Sequence, residues 1–271
     1  MSLTELAPAP GQVAGPVNAD GELRSVTIAT GVLECFVDDA ELGPTQVARW
    51  LGIAKSTASR MLSALATGGV LERADGGRYR LSLRLFQYGQ LAVDRLPLRT
   101  IARPVLLELH ESVREMVQLG LPVGGHVLYV ERMAAGGLGA KLSGEVLRRV
   151  PGWSSSAGRI MAAYDPLVAR ATDGLERRKH TPFTVTDPGR LRQMLLAARA
   201  AGWVASREEY ELGYSSIAAP ICAPGGQSVL AAISVVGPTA HLLGPRKDFV
   251  VASVCRAARR ITALIARSQE I

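Results

Sequence analysis

The sequence predicts an α+β protein in two parts: an N-terminal winged helix-turn-helix domain joined by a linker helix to a larger α+β domain. Three observations predict it. Thr45 to Leu62 reads as two short amphipathic helices meeting at Gly52, a residue that accepts the positive φ of a tight turn. Asp75-Gly76-Gly77 is a strong hairpin signal between the short runs Val70–Arg73 and Arg78–Leu81. Beyond Arg99, hairpin signals are flanked by helices and do not alternate with them one by one, which is the α+β pattern.

The tail, residues 1–21, is rich in Pro, Ala and Gly and is expected to be disordered. The winged domain is placed at 22–83. Its first helix is expected from about Ser25 to Val37, with Val26, Ala29, Val32, Leu33 and Phe36 as the buried stripe. Gly43-Pro44 opens the next helix. Within the helix pair, Val47, Ala48 and Leu51 can bury against Ala58, Met61, Leu62 and Leu65, and Gly68-Gly69 ends the second helix. Residues 84–98 form the linker helix, with Leu85, Phe86, Tyr88 and Leu91 on its apolar faces, a surface suited to a second subunit. Leu96-Pro97-Leu98 breaks it.

The second domain is placed at 99–271. A helix over Ile101–Val113 has Pro104 in its first turn, where the missing amide costs little. Val117, Leu119, Leu121 and Val123 alternate as a strand, and Gly124-Gly125 turns the chain into Val127–Val130. Asp187, Pro188 and Gly202 are the cap, first turn and stop of a helix. Strands follow around Trp203–Ser206, Ser215–Cys222 and Val229–Val236, and a helix over Arg246–Ser268 closes the chain.

Composition narrows the function classes. At 271 residues and 48% hydrophobic, two domains with real cores are possible. A formal charge of +7 suits a polyanionic partner. Aromatics at 5% argue against stacking platforms for single-stranded nucleic acid. The longest apolar run, Val229–Val236, is strand-sized, so no transmembrane helix is expected, and no secretory signal is read at the N-terminus. Cys35, Cys222 and Cys255 lack metal-ligand spacing and read as reduced thiols in a cytoplasmic protein. The histidines, His110, His126, His180 and His241, show no metal spacing either, and no Gly-x-Ser-x-Gly elbow or phosphate loop is present. Glu208, Glu209 and Glu211 read as a solvated or turn-stabilising cluster. The chain is therefore not expected to be an enzyme or to carry a cofactor.

The chemistry of the helix pair points to double-stranded DNA. Burial of the apolar stripe leaves Lys55, Ser56, Ser59 and Arg60 facing outward, with Thr57 beside them. Short hydroxyls approach the major groove closely and Arg reads guanine edges. The ribbon then places Arg78, joined by Arg73 or Arg80, beside a phosphate backbone or minor groove. An ordinary helical hairpin with solvated basic residues is the plainer alternative, and the wing weighs against it.

In the second domain, Ser154-Ser155-Ser156 precedes a short apolar helix starting near Ala157. Free amides and hydroxyls at a helix start favour a carboxylate, although simple capping is the commoner reason for serines there. Ser216 and Ser234 interrupt apolar strands and are candidates for a cavity wall.

Taken together, Lys55-Ser56-Thr57, Tyr79-Arg80-Leu81-Ser82, Leu128–Arg132, Ser156-Ala157-Gly158-Arg159, Gly213–Ile221 and Ala231–Pro238 resemble, in order and spacing, the IclR family of bacterial transcriptional regulators from about Glu22 onward. The resemblance implies a GAF-like domain that binds a small-molecule effector, and a homodimer or homotetramer on a palindromic DNA operator. It implies effector contacts at Ser156, Ala157, Ser206, Ser216, Ser234 and Val236. Ser206 stands where some relatives have an acidic residue and Val236 where they have serine. Pro151-Gly152-Trp153-Ser154 likewise replaces a common Leu-His or Met-His pair. These departures disfavour glyoxylate or pyruvate and favour a larger or more apolar acid. Two further readings stand beside this one: a constitutive DNA binder whose second domain only oligomerises, and a DNA-binding fusion to an enzyme.

Overall fold

The computed structural model describes residues 24–37, 39–134, 150–226 and 228–268; the tail at 1–21 lies outside them. The chain divides into two compact units, with the break between Arg95 and Leu96.

The first unit contains α1 (Arg24–Glu34), α2 (Pro44–Leu51), α3 (Lys55–Thr67), the ribbon β1 (Leu71–Arg73) and β2 (Tyr79–Leu81), and α4 (Leu83–Asp94). Pro44 occupies the first turn of α2, and Gln46 Oε1 accepts from the Gly43 amide at 3.0 Å. Gly52 stops α2 at φ +62°, and its amide donates to the Ala48 carbonyl, which turns the chain directly into α3. Gly76 and Gly77 lie at φ +66° and +73°, two consecutive left-handed residues that only glycine adopts readily. They return β2 on β1 in the register Leu71↔Leu81 and Arg73↔Tyr79. Val32, Leu42, Val47, Ala58 and Leu62 are fully buried beneath, and Leu42 pairs with Tyr79 as a third strand position.

Val26 does not join this core: it is 56% exposed. The helical period that buries Val32 and Phe36 brings in Ile28 and Cys35 and turns Val26 outward.

The second unit runs α5 (Pro97–Val113), β3 (Met116–Val123), β4 (His126–Met133), β5 (Val150–Pro151), α6 (Ser156–Tyr164), α7 (Pro166–Asp173), α8 (Pro188–Ala201), β6 (Val204–Arg207), β7 (Tyr214–Cys222), β8 (Val229–Pro238), α9 (Thr239–Leu242) and α10 (Lys247–Ser268). Its antiparallel sheet has the order β5-β4-β3-β8-β7-β6. One face, with Leu119, Ile217, Ile233 and Val235, packs on Leu106 and Leu109 of α5 and Val254 and Ile261 of α10. The opposite face, with Val127, Ala218 and Ala232, packs on Ala157, Ile160 and Met161 of α6. Central strands are therefore covered on both sides, which explains why β3 and β8 are nearly continuous runs of buried residues.

Two close approaches shape the α6 face. A Cβ on Gly158 would fall 2.2 Å from the Gly152 Cα, so glycine lets the first turn of α6 seat on the preceding chain. A Cβ on Gly120 would lie 2.5 Å from Val127 Cγ1 and 3.2 Å from Tyr129 Cε1; its absence makes room for the tyrosine ring.

One helix boundary differs from expectation. Pro97, and not a residue near Ile101, opens α5, so Pro104 lies inside the helix and removes the amide that would have met the Thr100 carbonyl. The Asp165 cap with Pro166 behind it starts α7, an unanticipated helix whose signal was present in the sequence.

Candidate functional site

On the first unit, α3 presents Lys55, Ser56, Ser59 and Arg60 as exposed residues, with Thr57 half-buried and Ala58 and Leu62 turned to the core. Its N-terminus breaks the usual rules. Ala54 supplies no side-chain cap, no acidic residue occupies the first turn, and Lys55 stands where the helix dipole is unfavourable to a cation. A helix start with uncapped amides beside a lysine and two serines is locally unfavourable alone and suited to a phosphate.

The wing arginines are engaged with neighbours. Arg78 Nη2 donates to the Glu41 carbonyl, and its Nε lies 3.7 Å from the Glu41 carboxylate. Arg80 pairs with Glu72 at 3.0 Å, and Arg73 donates to Ser63 Oγ at 2.9 Å and Tyr79 Oη at 3.1 Å. Arg78 and Glu41 are both well exposed, so their pairing is worth no more than about 1 kcal/mol and yields readily to a phosphate.

On the second unit a cavity of about 90 Å³ opens over the α6 face of the sheet. Cross-strand register builds its floor. Met116, Val236, Ser216 and Ser206 form one row across β3, β8, β7 and β6, and Arg132, Gln118, Ser234 and Ala218 form the next across β4, β3, β8 and β7. Of the effector contacts implied by the resemblance, Ser206, Ser216 and Val236 line the cavity, as do Ser154 and Ser155 before the helix start. Ser156 and Ala157 lie just behind: Ser155 caps α6 by accepting from the Gly158 amide at 3.1 Å, and Ser156 Oγ donates to Ser216 Oγ at 2.7 Å. Ser234, expected to face the cavity, is fully buried and bonds Gln118 at 3.4 Å. It shares the face of Val236 but lies one row further along the strand, where it meets the Tyr129 hydroxyl.

Sequence reasoning missed several lining groups. Tyr129, Tyr210, Tyr214, Gln118 and Arg132 all reach the cavity. The Tyr129 hydroxyl hydrogen-bonds Ser234 and Ser155, and burial pushes its pKa up to about 12. Gln118 is buried, with its amide oxygen toward Arg132, 2.8 Å from Nη2 and 2.9 Å from Nε; the reverse orientation would set donor against donor. The Arg132 guanidinium stands 5.9 Å from the Tyr129 ring centroid. Polar residues on otherwise apolar strands were the available signal.

Glu209 is not solvated. It is buried and meets Arg159 of α6 through two bonds of 2.5 Å. The Val185 amide donates to it at 3.0 Å, and Ser206 Oγ at 3.3 Å. Arg159 is 1% exposed and also donates to the Trp153 carbonyl at 2.8 Å. This strut holds α6 to the turn that carries Tyr210 and Glu211 along the cavity. Glu208 stabilises that turn, accepting from the Gly213 amide at 3.1 Å. Among the described residues, no cluster of His, Cys, Asp and Glu could hold a metal ion.

Comparison with known proteins accounts for both units. Residues 25–75 match the IclR helix-turn-helix domain, and residues 90–263 match the bacterial transcriptional regulator IclR C-terminal domain. The chain is 31% identical to the HTH-type transcriptional regulator KipR of Bacillus subtilis, over 88% of this chain and 96% of that protein. It is also 31% identical to the glycerol operon regulatory protein of Streptomyces coelicolor, over 89% and 95%. Among solved structures, an IclR homolog from Microbacterium hydrocarbonoxydans complexed with 4-hydroxybenzoate aligns with a TM-score of 0.68 and 30% identity, covering 90% of this chain and 99% of that one.

Proposed function

We propose a function from one premise: the chain belongs to the IclR family of bacterial transcriptional regulators. It is a DNA-binding regulator with a ligand-binding C-terminal domain, and its relatives are named as regulators, not enzymes. Among the described residues, no helix is long and apolar enough to cross a membrane. We place the chain in the cytoplasm with its DNA.

The recognition surface is α3, with Lys55, Ser56, Thr57, Ser59 and Arg60 entering the major groove and Arg78 meeting phosphate from the wing. The observation that carries this is the outward basic and hydroxylic face of a helix with an uncapped start. Arg60→Ala and Lys55→Ala are expected to lose about 1–3 kcal/mol of discrimination each, with unchanged unfolding midpoints. Fluorescence anisotropy with the operator and a scrambled duplex measures it. Unchanged sequence preference in both variants would refute the assignment.

The effector is a small organic acid held in the sheet-face cavity. Ser206, Ser216 and Val236 line it, Ser156 and Ala157 form the helix start behind it, and Ser234 supports it from the next row. The α4 helix exposes Leu83, Phe86, Tyr88 and Leu91, an apolar surface that supports a homodimer or homotetramer. The operator is then palindromic, with half-sites about one helical turn or a multiple apart.

A further inference from the structure

We propose that the outer face of α10 is a second DNA-binding surface, one that takes the phosphate backbone of duplex DNA without regard to sequence. From Ala252 to Arg267 the exposed residues of α10 are Ala252, Arg256, Arg259, Arg260, Ala263 and Arg267. At 3.6 residues per turn they share an arc of about 100°. The arc lies opposite the buried stripe of Val254, Ala258, Ile261 and Ile265. The one acid of the helix, Asp248, stands in the first turn, ahead of the arginines.

This arrangement is locally unfavourable for the chain alone. Arg256 meets like charges three and four positions on, at Arg259 and Arg260, a spacing at which like charges weaken a helix. The helix dipole favours a cation only in the last turn, which accounts for Arg267 and for none of the other three. Arg260 pairs with Glu108 of α5, while Arg256, Arg259 and Arg267 have no acidic partner among the described residues. A row of exposed, unneutralised arginines suits a partner that brings the negative charge.

The occupant is duplex DNA and not a protein. A second copy of the chain, docked on this stripe about a two-fold axis, would set arginine against arginine. Another protein would need an apolar or aromatic anchor at the centre of the contact. The stripe offers only alanines there, and the aromatic ring at its start, Phe249, is faced by the Arg246 guanidinium at 5.6 Å. A phosphate backbone needs no anchor. It carries one charge per roughly 1.7 Å of duplex axis, so the roughly 16 Å from Arg256 to Arg267 passes several phosphates. The planar fork of arginine holds phosphate through paired hydrogen bonds, and Ala263 leaves room for the backbone to approach. The inference rests on the chain being a DNA-binding regulator, and not on the assignment of α3.

The test is fluorescence anisotropy of the full chain with a long duplex lacking the operator, over a series of salt concentrations. Arg256→Gln, Arg259→Gln and Arg267→Gln together should lower the slope of log affinity against log salt by about two to three units, since each phosphate contact contributes about 0.9. The same three positions changed to Lys should keep the slope within about one unit of wild type. Arg170→Gln, Arg190→Gln and Arg192→Gln remove the same charge from exposed positions of α7 and α8 and should lower it by less than about one unit. An unchanged slope in the α10 glutamine variant overturns the proposal and leaves the stripe to an acidic protein. An equal fall in the α7 and α8 variant also overturns it, because net charge alone then explains the effect. An equal fall in the lysine variant overturns it by showing that the helix and not its charge was altered. Arg60→Ala keeps the two DNA surfaces apart: it should abolish preference for the operator while the slope on the long duplex still depends on α10. Full operator preference in Arg60→Ala counts against α3 and leaves the α10 result standing.

Discussion

The two units place their polar residues in opposite ways. On α3, Lys55, Ser56, Ser59 and Arg60 stand exposed above an apolar core to whose packing they do not contribute. In the second unit, Arg159, Glu209, Gln118 and Ser234 are buried and bonded in pairs, Arg159 to Glu209 and Ser234 to Gln118, so groups that shape the cavity also hold the domain together. Chemistry on a surface can be changed at little structural cost. Chemistry built into a core cannot.

The sharpest way to break this contrast is Glu209→Ala. It leaves Arg159 as an uncompensated buried cation, and a loss of about 3–5 kcal/mol is expected in denaturant unfolding. Replacing both partners by apolar residues of similar volume should recover much of it. A loss below about 1 kcal/mol would show that the pair is effectively solvated and that the units do not differ in this way.

A smaller effect is expected from pH. The Tyr129 hydroxyl, pushed up to about 12 by burial, binds its proton more tightly in the folded chain than in the unfolded one, where it titrates near 10. Its contribution is complete below about pH 10 and is lost as pH rises through about 12. Unfolding curves at intervals over this range should show a decline in wild type that is reduced in Tyr129→Phe. Equal declines would mean that the hydroxyl is exposed.

The smallest effect belongs to the wing. Arg78→Ala should leave stability within about 0.5 kcal/mol, because its partner Glu41 is equally exposed. It should weaken binding to all duplexes alike and lower the salt slope by about one unit. A changed preference at one base position would instead assign Arg78 to base reading.

These differences follow how much of each unit was legible. In the first, Gly52 and Asp75-Gly76-Gly77 specify turns locally, and the exposed face of α3 follows from a period of 3.6, so residues a few positions apart carried the reading. Val26 was misjudged because two overlapping apolar stripes run along α1 and only packing selects one. In the second unit, the interruption of apolar strands marked Ser216 and Ser234 as candidates for a cavity wall. It could not say that Ser234 lies a row further along the strand against the Tyr129 hydroxyl, because period two gives face and not tertiary neighbours. Pro104 was read against too late a helix start, since Pro97 is an equally good first-turn residue.

The sequence by itself determined the two-part α+β plan, the helix pair with its wing, and the outward basic face of α3, all of which rest on short-range periodicity and turn chemistry. Only the tertiary structure decided the cavity. Arg159 meets Glu209 across fifty positions of chain, and Arg132 meets Gln118 through the β3–β4 register. Such partners are chosen by which strands and helices come together in space, and the demand that every buried polar group find a partner then settles which side chains remain to face a ligand.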